Sequence, residues 1–144
     1  MFEDVIRERT ATRSFKDKKV EKEKIIKILE AGRLAPTAKN KQPQKIIVVT
    51  SDEGLNKIDT ISPCRYNAQT VLVVCSNKDI AFKMDNYSTY EIDACIVATH
   101  MMLEATNLGI DNIWIEMFDK KKLKQVFNLD DNIEPICLLP IGYR

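Results

Sequence analysis

Two arginines four residues apart, Arg9 and Arg13, belong to a polar stretch that runs Arg-Thr-Ala-Thr-Arg-Ser-Phe. A helix places residues four apart on one face, and an extended segment does the same. Two guanidinium groups that point the same way can bind a phosphate, and the hydroxyls of Thr10, Thr12 and Ser14 add donors. On spacing alone, a pair of surface arginines in weak ion pairs is the slightly better interpretation. The stretch therefore leaves both a phosphate site and an ordinary surface open.

A second polar segment, residues 34–44, reads Leu-Ala-Pro-Thr-Ala-Lys-Asn-Lys-Gln-Pro-Gln. Pro36 ends the predicted helix before it, so residues 36–42 form a loop. The side-chain amides of Asn40 and Gln42 both donate and accept hydrogen bonds, which suits the edge of a flavin or another heteroaromatic ring. Ordinary turn chemistry explains the same residues equally well.

A third candidate segment, Trp114-Ile-Glu-Met-Phe118, lies where a predicted strand ends. Backbone N–H groups that a strand end leaves free can bind a ring nitrogen. In isolation, a strand end with core aromatic residues is the better interpretation.

Residues that commonly carry acid–base or phosphate-loop chemistry are sparse. The single histidine, His100, lies among apolar residues with no nucleophile at triad spacing, which favours a packed or interfacial role. The four glycines are scattered along the chain, which argues against a Walker loop and a dinucleotide fingerprint. The sequence therefore predicts no catalytic side chain.

Composition sets the broad class. The chain has 144 residues, 44% of them apolar, and a net charge of +1, which indicates one domain over residues 1–144 and no affinity for nucleic acid. Residues 1–24 are too charged for a signal peptide, and the apolar runs are too short to span a membrane. The four cysteines form no CxxC motif, and Cys75, Cys95 and Cys137 lie in apolar runs typical of core residues. We therefore expect a cytoplasmic protein with no disulfide and no metal site.

The hydrophobic pattern predicts nine elements. Helices are expected over residues 2–8, 21–35, 51–59, 88–107 and 119–127, and strands over residues 45–50, 70–76, 113–117 and 136–143. The order α-α-β-α-β-α-β-α-β lacks a regular βα alternation. It indicates an α+β fold with a mixed or antiparallel β-sheet flanked by helices.

The helix over residues 88–107 is apolar on nearly every side. One face carries Ile92, Cys95, Ile96, Thr99, Met102 and Leu103, and most of the rest is Ala94, Val97, Ala98, Met101 and Ala105. Such a helix must be buried on more than one side. Because a chain of this size can rarely do that alone, we expect part of the helix to contact a second subunit in a homodimer.

The order of these segments resembles the nitroreductase family of FMN-dependent oxidoreductases. In that family the first segment reads roughly Arg-x-Ser-x-Arg/Lys-x-Phe, and the second resembles Ala-Pro-Ser-Ser-x-Asn-x-Gln-Pro. The helix over residues 93–109, the Gly-Ile-x-x-x-Trp-Ile segment and the closing Leu-Pro-Ile-Gly-Tyr also resemble the family. The resemblance covers nearly the whole chain.

The resemblance implies a nitroreductase-like fold and a homodimer with two FMN molecules at the subunit interface. Arg9 would bind the phosphate, Arg13 would lie near the pyrimidine side of the ring, and the loop would approach from the other subunit. The implied cofactor-binding residues are Arg9, Thr10, Ala11, Arg13, Pro36, Thr37, Ala38, Asn40, Gln42, Glu116, Met117 and Arg144. FMN would carry hydride from NAD(P)H through its N5 to a small-molecule acceptor such as a nitroaromatic or a quinone.

Some residues depart from the family pattern. Ala11 and Ala38 stand where serines are common, Gln44 stands where an aromatic is common, and the sequence ends at Arg144, just after Gly-Tyr. These differences keep two alternatives open. One is a flavin-binding or sensing protein with little or no reductase turnover, and the other is a structural α+β dimer with an empty pocket.

Overall fold

A four-stranded antiparallel sheet forms the centre of the chain, and helices cover both of its faces. The computed structural model describes residues 1–144. The helices are α1 (Phe2–Glu8), α2 (Lys22–Leu34), α3 (Asp52–Ile61), α4 (Tyr90–Asn107) and α5 (Lys120–Val126). The strands are β1 (Gln44–Val49), β2 (Thr70–Asn77), β3 (Lys83–Met84), β4 (Tyr87–Ser88), β5 (Asp111–Asn112) and β6 (Ile133–Gly142).

The sheet has the order β1-β2-β6-β5, and β3 and β4 form a separate hairpin. Its central strand β2 is buried on both faces, as its continuous apolar run indicates. Because side chains alternate along a strand, Leu72 and Val74 join the core formed with α2 and α4, whereas Val71 and Val73 join the core beneath α3 and α5. The α+β class predicted from the sequence is confirmed.

Helix α4 packs closely on α2 through its small residues. A methyl group added at Gly32 would come within 2.9 Å of the Met101 side chain, so the two helices leave no room for a larger residue there. Ala94, Val97, Ala98 and Met101 are buried in this contact, but Ile92 is 57% exposed. The helix therefore buries one apolar face within the chain and leaves the other open.

The predicted strand over residues 113–117 is wrong. The ladder with β6 is regular only at Asp111 and Asn112, and Ile115 adds an isolated bridge to Leu138. Ile113 donates its N–H to the carbonyl of Pro140, but a proline has no N–H with which to return the bond. A turn in which Phe118 N–H donates to the Glu116 carbonyl then ends the pairing.

Other differences from the sequence interpretation are local. A short 3₁₀ turn at Ala38–Asn40 and the β3–β4 hairpin were not predicted. Leu34, at the end of α2, is 67% exposed, and Cys95, which the sequence places among the core residues, is only half-buried. All four cysteines are free thiols, and none of the helices has the length and apolarity that a membrane crossing needs.

A polar cluster attaches the end of β6 to the start of α2. The Tyr143 hydroxyl donates to the Glu21 carboxylate, and Lys24 Nζ donates to the Tyr143 hydroxyl at 3.2 Å. The N–H of Lys16 also donates to the Tyr143 carbonyl at 2.6 Å. The hydrogen bond from Tyr143, with help from Lys24, lowers the pKa of Glu21 from 4.5 to about 2.

This cluster predicts an acid-dependent stability. A carboxylate whose pKa is lowered on folding stabilises the fold above its unfolded pKa, and that contribution is lost as the pH falls through the folded pKa. Glu21 should therefore make the free energy of unfolding fall between pH 4.5 and about pH 2. Urea unfolding across this range should show a shallower fall for Glu21→Gln than for the unchanged chain. Glu23→Gln, two residues later in the first turn of α2, is the matched control and should keep the original slope.

Candidate functional site

Two adjoining cavities share Arg9. Cavity I, of about 430 Å³, is lined by Arg9, Ala11, Arg13, Tyr66, Thr99, Met102, Leu103, Ile113, Trp114 and Ile115. Cavity II, of about 330 Å³, is lined by Glu8, Arg9, Thr10, Thr106, Gly109, Ile110, Asp111, Asn112 and Arg144. The first is mostly apolar and the second almost wholly polar, so together they suit a ligand with a flat apolar part and a polar tail.

The segment after α1 is extended, which explains why both arginines reach the same place. Its backbone pairs with β5, because Ala11 forms a parallel bridge with Asn112 and Thr12 donates its N–H to the Asn112 carbonyl at 3.1 Å. Alternate residues of an extended segment point the same way. Arg9, Ala11 and Arg13 accordingly line cavity I, whereas Thr12 is buried. The prediction that the arginines share one side of the chain is confirmed.

The two arginines are free of carboxylate partners. Neither Arg9 nor Arg13 forms an ion pair in the structure, which contradicts the surface ion-pair interpretation of their spacing. Arg144 differs, because its N–H donates to Asp111 Oδ2 at 3.0 Å and its Nε lies 3.6 Å from Asp111 Oδ1. Cavity II thus has one unpaired guanidinium and one that a carboxylate orients, a suitable arrangement for a phosphate.

Asn112 provides a buried acceptor in the wall of cavity II. Its Nδ2 donates to Thr106 Oγ1 at 3.0 Å and lies 3.2 Å from the Ile110 carbonyl. Its Oδ1 has no hydrogen-bond partner, although the residue is only 1% exposed. Because buried polar atoms are normally paired, this oxygen is suited to a hydroxyl of a ligand that passes between the cavities.

The segment after Trp114 offers backbone donors at the margin of cavity I. The carbonyl of Glu116 accepts from Phe118, and the carbonyl of Met117 accepts from Ser62 Oγ at 2.7 Å. The N–H groups of Glu116 and Met117 donate to no group within the chain. Trp114 and Ile115 line the cavity, whereas Glu116 and Met117 follow them in the exposed chain.

The loop over residues 36–42 is separate from both cavities. Lys39, Asn40 and Gln42 have positive φ angles of 53°, 54° and 50°, an unusual cluster for residues with side chains. Gln42 donates its N–H to Thr37 Oγ1 at 3.0 Å and its Nε2 to Asn40 Oδ1 at 2.9 Å. Backbone strain of this kind persists where its surroundings enforce it, which is common at binding sites. This loop lines neither cavity. Within one chain, the structure therefore does not bring to Arg9 the predicted site residues Pro36, Thr37, Ala38, Asn40 and Gln42.

Asp93 holds this loop. The carboxylate is 1% exposed and accepts from the Ala38 N–H at 3.0 Å and from Thr89 Oγ1 at 2.9 Å. Asp93 lies in the first turn of α4, where the helix dipole also favours a negative charge. It joins the loop to the start of α4.

Asp93→Ala should destabilise the fold and loosen this loop. Removing the carboxylate leaves two donors without a partner, and each unpaired buried group costs about 1–3 kcal/mol. Urea unfolding should show a loss of about 2–4 kcal/mol in the free energy of unfolding, since the two costs overlap in part. Glu91→Ala, at an exposed position in the same turn, should change it by less than about 0.5 kcal/mol.

No acid–base or nucleophilic constellation accompanies the cavities. Burial raises the pKa of Cys75 to about 12 and also raises the pKa of Cys137, so neither thiol is a nucleophile near neutral pH. The His100 ring is exposed, with Nδ1 3.2 Å from the Ile96 carbonyl of its own helix. None of these three side chains lines cavity I or cavity II.

Sequence reasoning missed several residues that form the site. Tyr66 belongs to a predicted loop, and Asn112 precedes a predicted strand, so neither carried a signal of its own. Thr99, Met102 and Leu103 of α4 line cavity I, which only the packing of that helix beside segment 9–13 could show.

The comparisons with known proteins agree with this fold. The chain belongs to the Nitroreductase family, whose sequence model matches residues 6–62 and 62–143. A nitroreductase family protein from Clostridium difficile 630 superposes with a TM-score of 0.95 at 39% identity, over 98% of this chain and 83% of that one. The Archaeoglobus fulgidus protein named "Putative NADH dehydrogenase/NAD(P)H nitroreductase" is 30% identical over 94% of this chain and 80% of its own length.

A more distant structure shows the same fold with a ligand. It is a "putative nitroreductase in complex with FMN" from Exiguobacterium sibiricum 255-15, and it superposes with a TM-score of 0.90 at 22% identity. The match covers 99% of this chain and 88% of that one.

Proposed function

We propose that this protein is an FMN-dependent oxidoreductase that transfers hydride from NAD(P)H to a small-molecule acceptor such as a nitroaromatic or a quinone. The observation that carries this proposal is the junction of an apolar and a polar cavity at the unpaired Arg9. Membership of the Nitroreductase family supports an oxidoreductase, and the names of its relatives suggest a nicotinamide donor. The bound FMN in the Exiguobacterium protein supports the choice of cofactor.

The residues present fit FMN. Arg9 and Arg144 can bind the phosphate in cavity II, with Thr10 as a further donor and Asp111 orienting Arg144. The unpaired Asn112 Oδ1 can accept from a hydroxyl of the ribityl chain. Cavity I has the size range of a cofactor pocket and mostly apolar walls for the ring.

When bound, FMN supplies a ring that accepts and returns hydride, so the protein needs no side chain that reacts covalently. The side chains of Met102, Leu103 and Trp114 would exclude water from one side of cavity I. Arg13, near the pyrimidine end, would stabilise negative charge that develops there. The N–H groups of Glu116 and Met117 would donate hydrogen bonds to the ring near N5. Ala11 would offer only backbone contacts.

The complete site would require two copies of the chain. The loop over residues 36–42 does not line cavity I, so it would reach the cavity of a partner subunit. An apolar surface is available for such contact, with Phe2, Ile6, Leu34 and Ile92 each more than half exposed. Grooves of about 480 Å³ and 440 Å³ run along α4 on this side, and His100 lines both of them. We infer a homodimer in which α4 lies at the interface.

A visible absorption spectrum of the purified protein, before and after anaerobic addition of NADH or NADPH, tests the proposal. We expect a flavin spectrum that bleaches and then recovers when an acceptor is added, with FMN rather than FAD released by acid. A protein that takes up no flavin after reconstitution would contradict the proposal. Flavin that binds but does not bleach would instead support the second candidate, a flavin-binding protein with little turnover. The absence of a side-chain hydroxyl at Ala11 favours this candidate.

The cytosolic location stays a prediction.

A further inference from the structure

The turn formed by residues 116–118 follows directly on Trp114 and Ile115, which line cavity I. The N–H groups of Glu116 and Met117 donate to no group within the chain. Both residues are exposed, so these two N–H groups are open to a ligand. What they can bind depends on the direction in which each peptide plane points.

Strand β6 fixes the direction of the Glu116 N–H. The Ile115 carbonyl accepts from the Leu138 N–H at 3.1 Å, and a trans peptide directs its carbonyl and its N–H to opposite sides. The Glu116 N–H therefore points away from β6. Segment 9–13 pairs with β5 on the side opposite β6, so this N–H faces the same edge of the sheet as the arginines.

Ser62 fixes the direction of the second N–H through two peptide planes. Its hydroxyl donates to the Met117 carbonyl at 2.7 Å, which turns the N–H of the same peptide, that of Phe118, to the opposite side. The Phe118 N–H closes the turn by donating to the Glu116 carbonyl at 3.0 Å. That bond orients the peptide between Glu116 and Met117, and it directs the Met117 N–H out of the turn.

The Ser62 side chain is itself held in place. The residue is only 4% exposed, and its Oγ accepts from the Cys64 N–H at 3.1 Å. Its own N–H ends α3 by donating to the Ile58 carbonyl at 3.0 Å, and the neighbouring Ile61 carbonyl accepts from the Asp119 N–H at 2.9 Å. A buried hydroxyl that both donates and accepts has little freedom to rotate, so the end of α3 orients the turn before any ligand binds.

We propose that Ser62 is a positioning residue whose hydroxyl, through the turn of residues 116–118, aims the free Met117 N–H at the N5 side of a flavin in cavity I. The inference rests on the proposed function. N5 of oxidised FMN accepts a hydrogen bond, whereas N5 of reduced FMN carries a proton and is a poorer acceptor. A preorganised donor there stabilises the oxidised form more than a mobile one does, because no reorganisation is needed. Ser62 would therefore favour oxidised over reduced FMN, opposite to the effect of Arg13.

The test is the two-electron midpoint potential of the FMN-loaded protein. Ser62→Ala removes the hydroxyl and should weaken the binding of oxidised relative to reduced FMN about fivefold, which raises the potential by about 20 mV. Ser62→Thr keeps the hydroxyl and should keep the original potential. Ser51→Ala is the matched control, because it removes a hydroxyl that accepts from the Gly54 N–H at 3.0 Å at the other end of α3, outside both cavities. It should lower the stability to urea but leave the potential unchanged.

A second measurement needs no flavin. In the flavin-free protein, Ser62→Ala should lower the backbone NMR order parameters of Met117 and Phe118 from about 0.85 to below about 0.6, whereas Ser51→Ala should leave them high. If Ser62→Ala does not fold, Ser62→Cys replaces the hydroxyl with a weak donor and should give part of the same rise in potential.

Three results would overturn the inference while leaving the proposed function intact. They are a potential that stays the same or falls in the Ser62 variants without the hydroxyl, an equal rise in Ser51→Ala, and order parameters that do not change in Ser62→Ala. If the unchanged protein binds no FMN, both the inference and the proposed function are wrong.

Discussion

Replacing Arg9 with alanine is expected to weaken FMN binding ten- to a hundred-fold. Arg9 lines both cavities and has no carboxylate partner, so its charge is available to a phosphate at the junction. A hydrogen bond between charged groups contributes about 1.5–3 kcal/mol, and each 1.4 kcal/mol is about tenfold in affinity. Titration of the flavin-free protein with FMN, followed by flavin fluorescence, measures the loss. Raising the salt concentration should reduce the difference in FMN affinity between the unchanged protein and Arg9→Ala.

Arg7→Ala is the matched control, because it removes the same charge two residues earlier. Arg7 is exposed on α1 and pairs with Glu3 at 2.8 Å, outside both cavities. It should change FMN affinity less than twofold, roughly the size of a screened surface interaction. Arg13→Ala should weaken the binding of oxidised FMN less than Arg9→Ala does. It should also lower the midpoint potential of the bound flavin. Equal affinity losses for Arg9 and Arg13 with unchanged potentials would contradict the assigned roles.

The arginines show which features of the site could be predicted from residue spacing alone. Their spacing predicted a shared side for either a helix or an extended segment, and the structure shows the extended form. What the spacing could not show is which elements form the opposite walls. Thr99 and Met102 come from α4, about ninety residues away in sequence, and only tertiary packing brings them to segment 9–13.

The errors at the sheet edge have a similar origin. Ile113, Trp114 and Ile115 have the composition of a strand, and periodicity alone predicted one. The proline that faces Ile113 across the ladder lies on β6, so the missing hydrogen bond depends on a register that the sequence does not reveal. Helix positions were more predictable, because the 3.6-residue period and the terminal signals lie within each helix itself.

Helix α4 gives the strongest link between sequence, packing and a complete site. Its sequence is apolar on nearly every side, and the chain covers only the face that contains Ala94, Val97 and Met101. The opposite face borders two grooves and leaves Ile92 57% exposed. The same element borders cavity I through Leu103 and holds the loop over residues 36–42 through Asp93. A second copy on this face would therefore complete the interface and the binding site together.

Ile92→Asp is expected to convert the proposed homodimer into a folded monomer and to weaken FMN binding by more than a hundredfold. Obligate interfaces bury on the order of 2,000 Å² or more of mainly apolar surface, and a carboxylate at their centre must lose its hydration without gaining a partner. Because the Ile92 side chain is exposed in the single chain, the substitution should leave folding of each subunit intact. Light scattering at low micromolar concentration measures the mass, and circular dichroism checks the fold.

The loss of FMN follows from geometry, since a monomer retains Arg9 and both cavities but lacks the partner's loop. Ile80→Asp makes the same chemical change at a position that is 48% exposed and lines none of the cavities described. It should keep both the dimer and the affinity. A monomeric Ile92→Asp that binds FMN as tightly as the unchanged protein would show that one chain forms the whole site. If the unchanged protein is monomeric, the proposed dimer is wrong. The apolar face of α4 would then be exposed to water in the native protein.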